Sequence, residues 1–313
     1  MKVVVISGPT ASGKTDVSLE LAGLYGGEIV NFDSLLLYQE INIGTAKPTL
    51  AERSRIPHHM IDVRSISSPM NAAAYATMAF EKISEILAQK KTVYLVGGSG
   101  FYLQAILKGM YDSPTTPPAI REQSQALYAQ SGIKPFLDLL KTHDPQSFQR
   151  YHENDHYRIR RAVEHWWTHR TPFSEKRELK EQDNKSLDRP SVHGWTIEHL
   201  YLDLPKEEHL KIIENRTSKM LAAGLEAEVR NLLQTGFTGE EKPLQSIGYK
   251  ETLDYITGVI KTEAEYKERI LIATRQLAKS QRTWFKKDPF IKTFHPLRQR
   301  EELSLAVKNF LAS

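Results

Sequence analysis

The sequence predicts an α/β protein whose core is a parallel sheet flanked by helices. Residues 3–6 form a continuous run of β-branched apolar side chains, and the patterns at 28–32 and 92–96 predict two further short strands. Helical patterns at 15–24 and 72–89 separate these segments. Apolar strands that alternate with helices are typical of a parallel sheet covered on both faces. Ligands of such sheets bind at the carboxyl ends of the strands.

Two breaks in the pattern of strands and helices indicate an insertion into this core. A proline-rich break at 113–118 and a polar stretch at 175–194 enclose a segment with mostly helical patterns. A strand pattern then resumes over 195–204, and three helices are expected before a last short strand near 290–294. The predicted domains are therefore a core, 1–112 and 195–313, and an inserted all-helical domain, 113–194.

Composition excludes several classes of protein. With 40% hydrophobic and 26% charged residues the chain is expected to fold throughout, and no apolar run approaches the ~18 residues of a membrane span. Cysteine is absent, which excludes disulfides and thiolate zinc sites and agrees with a reducing compartment. We expect a cytoplasmic monomer without a membrane partner. The net charge of +4 is too small to predict nucleic-acid binding by itself.

The strongest chemical signal is a phosphate-binding loop that follows the first strand and precedes the first helix. Its backbone N–H groups and the helix N-terminus favour a di- or triphosphate, Lys14 adds a positive charge, and the Thr15 hydroxyl can ligate Mg²⁺. Loops of this kind bind nucleotides such as ATP, but these residues indicate only the polyphosphate. The core is therefore expected to resemble P-loop NTPases. The loop residues are Gly8, Pro9, Thr10, Ala11, Ser12, Gly13, Lys14 and Thr15.

Asp33 ends the second predicted strand, and three roles are open to it. It can cap a helix over 35–38, hold a metal ion beside the phosphates, or act as a base toward a nucleophile. The third strand ends in Gly97-Gly98-Ser99 rather than in an acidic residue. The second carboxylate expected of an ATPase is therefore missing from that position.

Sequence blocks along the whole chain resemble the bacterial tRNA dimethylallyltransferases. The chain departs from the family at Gln39 and at Ser280, where basic residues are common, and both changes lower the positive charge available for RNA. The matching blocks are GPTASGKT at 8–15, DS at 33–34, INIGTAKP at 41–48, PHHMIDV at 57–63, VGGSGFYLQAIL at 96–107, RIRRAVE at 158–164, MLAAGLEAEV at 220–229, IGYKE at 247–251 and TRQLAKSQRTWF at 274–285.

The resemblance implies a prenyl transfer to tRNA. A dimethylallyl group would move from its diphosphate to the N6 amine of the adenosine 3′-adjacent to the anticodon, in tRNAs reading codons that begin with U. The loop would then hold the diphosphate rather than ATP, Mg²⁺ would assist, and Asp33 would accept the amine proton. Lys14 would neutralise the leaving diphosphate, and Ser99 would orient either the diphosphate or Asp33.

A basic stripe on the last long helix is a candidate for gripping the RNA. Arg275, Lys279, Arg282 and Lys286 share one side, and the opposite side, with Ala273, Leu277 and Trp284, is expected to pack. A charged stripe is often only a solvated face, but the resemblance favours contact with the anticodon loop. The residues it implies for tRNA are Asp33, Ser34, Leu35, Leu36, Ser99, Arg121, Tyr157, Arg158, Arg160, Arg161, Arg275, Gln276, Lys279 and Arg282.

Three other functions compete with this interpretation. A small-molecule kinase shares the loop and an acidic strand end, but it has no use for the insertion or the basic helix. A prenyltransferase acting on AMP would share the core chemistry and lack the RNA-gripping insertion. A non-catalytic RNA-binding module would need neither the loop nor Asp33.

Overall fold

The computed structural model describes residues 1–109, 116–175 and 191–313. They belong to two compact units, Met1–Gly109 with Arg189–Ser313, and Met110–Asp188. The predicted domain boundary at 112/113 lies outside the described residues, as does most of the polar stretch at 175–194. No helix of the described ranges combines the length and the apolar character needed to cross a membrane.

The first unit contains a seven-stranded sheet, which confirms the predicted parallel architecture. Its order is β3-β2-β4-β1-β6, and both β5 and β7 pair with β6. All strand pairs are parallel except that of β5 with β6. The strands are β1 (Lys2–Ser7), β2 (Glu28–Asn31), β3 (His58–His59), β4 (Val93–Gly97), β5 (Ser191–Val192), β6 (Trp195–Leu202) and β7 (Ile291–Phe294).

The sequence pattern explains why β1 is central. Val3, Val4, Val5 and Ile6 are fully buried, as a strand with helices on both faces requires. Since β1 lies between β4 and β6, its carboxyl end adjoins the ends of both strands. The loop that follows β1 therefore starts at the middle of the sheet edge.

Helices of the first unit surround this sheet, and one prediction about them is wrong. Four α-helices, not three, lie between β6 and β7, because Gly224 at φ +95° ends one helical segment and begins the next. A further helix follows β7. The helices are α1 (Lys14–Tyr25), α2 (Leu50–Arg55), α3 (Ala72–Ala88), α4 (Gly100–Lys108), α9 (Lys206–Ala222), α10 (Leu225–Gln234), α11 (Tyr249–Ile256), α12 (Glu263–Phe285) and α13 (Arg300–Ala312).

The face on which α12 packs also differs from the prediction. Leu271, Ala278 and Phe285 are buried, whereas Leu277 and Trp284 remain 38% and 40% exposed. Both sets repeat every seven residues, and they lie on adjacent sides of the helix because one residue turns it by about 100°. Either stripe could pack, so the apolar pattern did not decide between them.

The described part of the second unit is helical, as predicted for the insertion. Its own apolar core includes Phe136, Leu140, Ile159 and Val163. The helices are α5 (Pro118–Ser131), α6 (Lys134–His143), α7 (Pro145–Arg150) and α8 (His156–His169).

Candidate active site

The predicted phosphate-binding loop joins β1 to α1, as expected from its place in the sequence. Ala11 and Gly13 have φ values of +62° and +78°, so the backbone between them curls before the helix starts. Such a curl directs successive N–H groups toward one point, where an anion can bind. The Lys14 ammonium donates hydrogen bonds to the carbonyls of Gly8, at 3.1 Å, and Pro9, at 2.8 Å.

Burial lowers the pKa of Lys14 to about 8, the Asp33 carboxylate opposes this shift, and Arg216 adds to it. The lysine is therefore mostly charged at neutral pH. An anion beside it would stabilise that charge. A bound polyphosphate would therefore offset the cost of burying the Lys14 charge.

Asp33 follows β2 at the same edge of the sheet. Its Oδ1 accepts the Leu35 N–H at 3.1 Å, and its own N–H is bonded to Asn31 Oδ1 at 2.9 Å. Gly97 permits this placement, because a Cβ there would lie 2.6 Å from the Phe32 carbonyl carbon and 2.8 Å from the Asp33 nitrogen. Residues 36 and 37 form a turn and Tyr38 forms a β-bridge with Arg64, so no helix is present over 35–38 for Asp33 to cap. That alternative role is excluded.

A cavity of about 200 Å³ brings several predicted residues together. Thr10 of the loop, Asp33 and Ser99 all line it, and Ser99 also precedes α4. Its wall contains both polar groups and aliphatic side chains. The lining residues are Thr10, Asp33, Ser34, Leu35, Gly44, Thr45, Gly98, Ser99, Ile213, Arg216, Thr217, Met220, Ile247, Gly248, Ile270, Thr274, Leu277 and Gln281.

Arg216 is a charged member of this wall that sequence reasoning missed. It lies on α9 and donates to Thr10 Oγ1 at 3.3 Å and to the Thr45 carbonyl at 3.4 Å. Burial lowers its pKa while the Asp33 carboxylate raises it. The guanidinium therefore shares the electrostatic environment of the predicted base and the loop lysine. Its position on a polar helix far along the chain carried no signal of this role.

Gln281 was also missed, although it lies within a quoted sequence block. Its Oε1 accepts the Thr10 N–H at 2.7 Å and its Nε2 donates to the Gly98 carbonyl at 2.9 Å. One side chain of α12 thus connects the phosphate-binding loop to the end of β4. The charge pattern of the basic stripe gives no signal for this neutral side chain.

Other residues predicted for tRNA in the first unit lie away from the cavity lining. Gln276 and Lys279 are exposed on α12, and Arg275 lies 3.7 Å from Glu268. Leu36 is half-buried in the turn after Asp33. Their contact with RNA stays a prediction.

The residues of the second unit that are predicted to contact tRNA differ in exposure and in their internal contacts. Arg121 is exposed on α5 and Tyr157 is 72% exposed on α8. The remaining three make internal contacts: Arg158 pairs with Asp155, Arg160 bonds Ser124 and lies over the Tyr128 ring, and Arg161 bonds Thr116 and Glu164. A tRNA role for these residues likewise stays a prediction.

The sheet order and the loop at its middle edge define this protein as a P-loop-like α/β protein. A family model described as IPP transferase matches residues 36–288. The chain is 39% identical over 291 residues to tRNA dimethylallyltransferase 1 of Trichlorobacter lovleyi, covering 92% of both chains. It is 36% identical to the tRNA dimethylallyltransferase of Desulfatibacillum aliphaticivorans, covering 97% of both.

Solved structures agree with these relatives. A tRNA isopentenylpyrophosphate transferase from Bacillus halodurans superposes with a TM-score of 0.70 at 27% identity, covering 99% of this chain and 97% of that one. A eukaryotic dimethylallyltransferase acting on tRNA gives a TM-score of 0.81 at 25% identity, covering 99% of this chain and 79% of that one. The chain belongs to the tRNA dimethylallyltransferase family.

Proposed function

We propose that this protein transfers the dimethylallyl group of dimethylallyl diphosphate to the N6 amine of the adenosine 3′-adjacent to the anticodon, and releases diphosphate. The tRNAs would be those that read codons beginning with U. The observation that carries the proposal is the cavity lined jointly by Thr10 of the phosphate-binding loop, Asp33 and Ser99. The proposed group donor and the proposed base would thereby lie next to each other in one cavity.

The electrostatics around this cavity suit a diphosphate leaving group. The negative charge of Asp33 raises the pKa of two cations near the cavity, Lys14 and Arg216, against the effect of their burial. As the bond to the prenyl carbon breaks, negative charge grows on the diphosphate, and fixed cations and loop N–H groups stabilise it without reorganising. We assign Lys14 and Arg216 to this task. The other residues of 8–15 would supply the backbone cradle.

We assign the role of the base to Asp33. An amine conjugated with a purine ring is a weak nucleophile, so a carboxylate that takes its proton keeps full positive charge from building up. The turn after β2 uses Oδ1 of Asp33, which leaves Oδ2 to accept that proton. Ser99, on the neighbouring strand end, would orient Asp33 or the diphosphate through its hydroxyl.

The aliphatic part of the wall suits a five-carbon group. Leu35, Ile213, Met220 and Ile270 line the cavity together with the polar residues. An apolar wall would bind the prenyl chain and keep water from competing with the amine for the allylic carbon.

The described residues of this site offer Mg²⁺ few protein ligands, and the ion can bind with few. Among the described residues no group of three or more His, Asp or Glu side chains could hold a metal ion. Mg²⁺ needs no such group, since it commonly keeps water and substrate phosphate oxygens as ligands. The Thr15 hydroxyl, in the first turn of α1, would supply the protein ligand. The ion would add charge neutralisation on the diphosphate.

The adenosine must leave its stack before Asp33 can reach it, and an unpaired anticodon loop makes this less costly than a duplex would. We propose that Arg275, Gln276 and Lys279 of α12, together with the predicted residues of the helical insertion, hold the RNA backbone during this step. We also propose that the protein works in the cytoplasm, in keeping with its lack of cysteine.

A label-transfer experiment tests the proposal. Dimethylallyl diphosphate carrying a radiolabel in the prenyl group is incubated with Mg²⁺ and the protein, and parallel reactions contain unmodified tRNA, AMP or no acceptor. Label on tRNA alone is the expected result. Label on AMP would instead identify a nucleotide prenyltransferase. No transfer, together with ATP turnover in a separate reaction that contains ATP, would identify a kinase.

A further inference from the structure

Thr10 is held at all three of its polar groups by side chains from distant helices. Its N–H donates to Gln281, its carbonyl lies 2.8 Å from His209 Nε2, and its hydroxyl accepts from Arg216. His209 and Arg216 lie seven residues apart on α9, and hence on one side of it. The conformation of the loop at Thr10 is therefore set from outside the loop.

The contacts of His209 determine where its proton lies. His209 Nδ1 is 2.7 Å from Nη2 of Arg282, and arginine nitrogens only donate hydrogen bonds. Nδ1 must then accept, so the ring is neutral and carries its proton on Nε2. That proton is donated to the Thr10 carbonyl. Burial lowers the pKa of His209, the Thr10 carbonyl and Asp203 oppose the shift, and Arg282 and Lys14 add to it.

Arg282 is itself held in place at the end of β6. Its Nε donates to Asp203 Oδ1 at 2.8 Å and its Nη2 to the Leu204 carbonyl at 3.2 Å. Only 21% of the Arg282 side chain is exposed. A continuous chain of contacts thus runs from Asp203 through Arg282 and His209 to the Thr10 carbonyl.

We propose that His209 and Arg282 are positioning residues for the phosphate-binding loop. Arg282 fixes the tautomer of His209, and His209 keeps the Thr10 carbonyl directed toward itself. Without that bond the carbonyl could turn toward the bound polyphosphate, where its lone pairs would repel the anion. This role differs from the phosphate contact with tRNA that the family resemblance implies for Arg282. It rests on the proposed function only in taking the loop to be the diphosphate site.

The test measures binding of inorganic pyrophosphate with Mg²⁺ by calorimetry, and binding of an anticodon stem-loop RNA as a function of salt. Arg282→Ala and His209→Leu are expected to weaken pyrophosphate binding by about tenfold or more. Arg282→Lys keeps the charge but cannot reproduce the planar fork that spans Asp203 and His209, so it should weaken pyrophosphate similarly. The salt dependence of RNA binding should not change in either Arg282 variant.

Two variants serve as matched controls. His209→Gln supplies one acceptor for Arg282 and one donor for Thr10, and is expected to restore most of the pyrophosphate affinity. Arg269→Ala removes another arginine of α12 that pairs with a carboxylate, Glu265, in an exposed position, and should behave as the unchanged protein does. Thermal melts identify any variant that fails to fold. If Arg282→Ala or His209→Leu fails to fold, the test relies on Arg282→Lys and His209→Gln, which preserve charge and approximate volume.

Several outcomes would overturn the proposal. Wild-type pyrophosphate affinity in both Arg282 variants would do so, as would a smaller salt dependence of RNA binding in Arg282→Ala with pyrophosphate binding intact. Binding of pyrophosphate can be measured even in a protein that transfers no prenyl group. A protein that binds pyrophosphate in a His209-dependent way but transfers no label would therefore refute the proposed function alone, whereas failure of the unchanged protein to bind pyrophosphate would refute this inference.

Discussion

The lowered pKa of Lys14 predicts a steep loss of diphosphate affinity in alkaline solution. In the ligand-free site burial holds this pKa at about 8, against an ordinary value of 10.5. A bound diphosphate places negative charge beside the ammonium, so it raises the pKa again. Binding is then coupled to uptake of one proton between the two values. Affinity is complete below pH 8 and is lost as the pH rises through the ligand-free pKa.

The size of the effect follows from the shift. Each pH unit within the window should raise the Kd for dimethylallyl diphosphate by about tenfold. If the ligand restores the ordinary pKa, the loss over the whole window of about 2.5 units is roughly 300-fold, or about 3 kcal/mol. Calorimetry or competition binding between about pH 7 and pH 11 measures it.

Lys14→Arg is the matched control, because a guanidinium stays charged throughout this range. Its Kd should change little with pH. Neighbouring groups do not titrate in the window: burial raises the pKa of Tyr75 and Tyr102, and burial lowers that of His209. A Kd of the unchanged protein that is flat with pH, or that follows the same curve in Lys14→Arg, would refute the argument.

Three further predictions concern the base, the RNA and the sheet edge. Asp33→Asn should lower the transfer rate by at least about 100-fold while tRNA affinity stays normal, and substantial remaining turnover would exclude Asp33 as the base. Lys279→Ala should weaken tRNA binding and reduce the slope of log K against log salt by about 0.7 to 0.9, whereas an unchanged slope would mean that Lys279 is merely solvated. Gly97→Ala places a Cβ 2.8 Å from the Asp33 nitrogen, so melting should reveal a loss of about 1–3 kcal/mol and kcat should fall more than tRNA affinity; a wild-type melt and rate would contradict this.

The sequence predicted the part of the site that depends on strand order. The phosphate-binding loop, Asp33 and Ser99 each follow an apolar run, and parallel strands place their carboxyl ends at one edge. The structure pairs β2 with β4 and β4 with β1, so these three positions follow neighbouring strands. Local pattern and one topological rule were therefore sufficient to expect them together.

The helical part of the site could not be predicted in the same way. A strand pattern tells which end of the strand meets the ligand, but a helix offers several faces, and the choice among them depends on packing against elements that are far away in sequence. On α12 two apolar stripes compete, and the buried one contains Ala278 rather than Leu277. The predicted stripe packs only in part: Trp284 lies against Gly100, whereas Leu277 is 38% exposed and lines the cavity.

The same ambiguity explains why the roles of polar residues on these helices could not be predicted from the sequence. Periodicity assigns a side chain to a face but does not tell whether the face meets solvent, RNA or another part of the protein. Arg282 belongs to the basic stripe by spacing, yet its guanidinium is fixed between Asp203 and His209. His209 in turn lies in a polar segment with no motif, and only the fold brings it to the loop. A basic stripe on a helix that borders an active site can therefore combine solvated cations with a partly buried one that is bonded internally. Exposure in the structure is what separates Lys279 from Arg282.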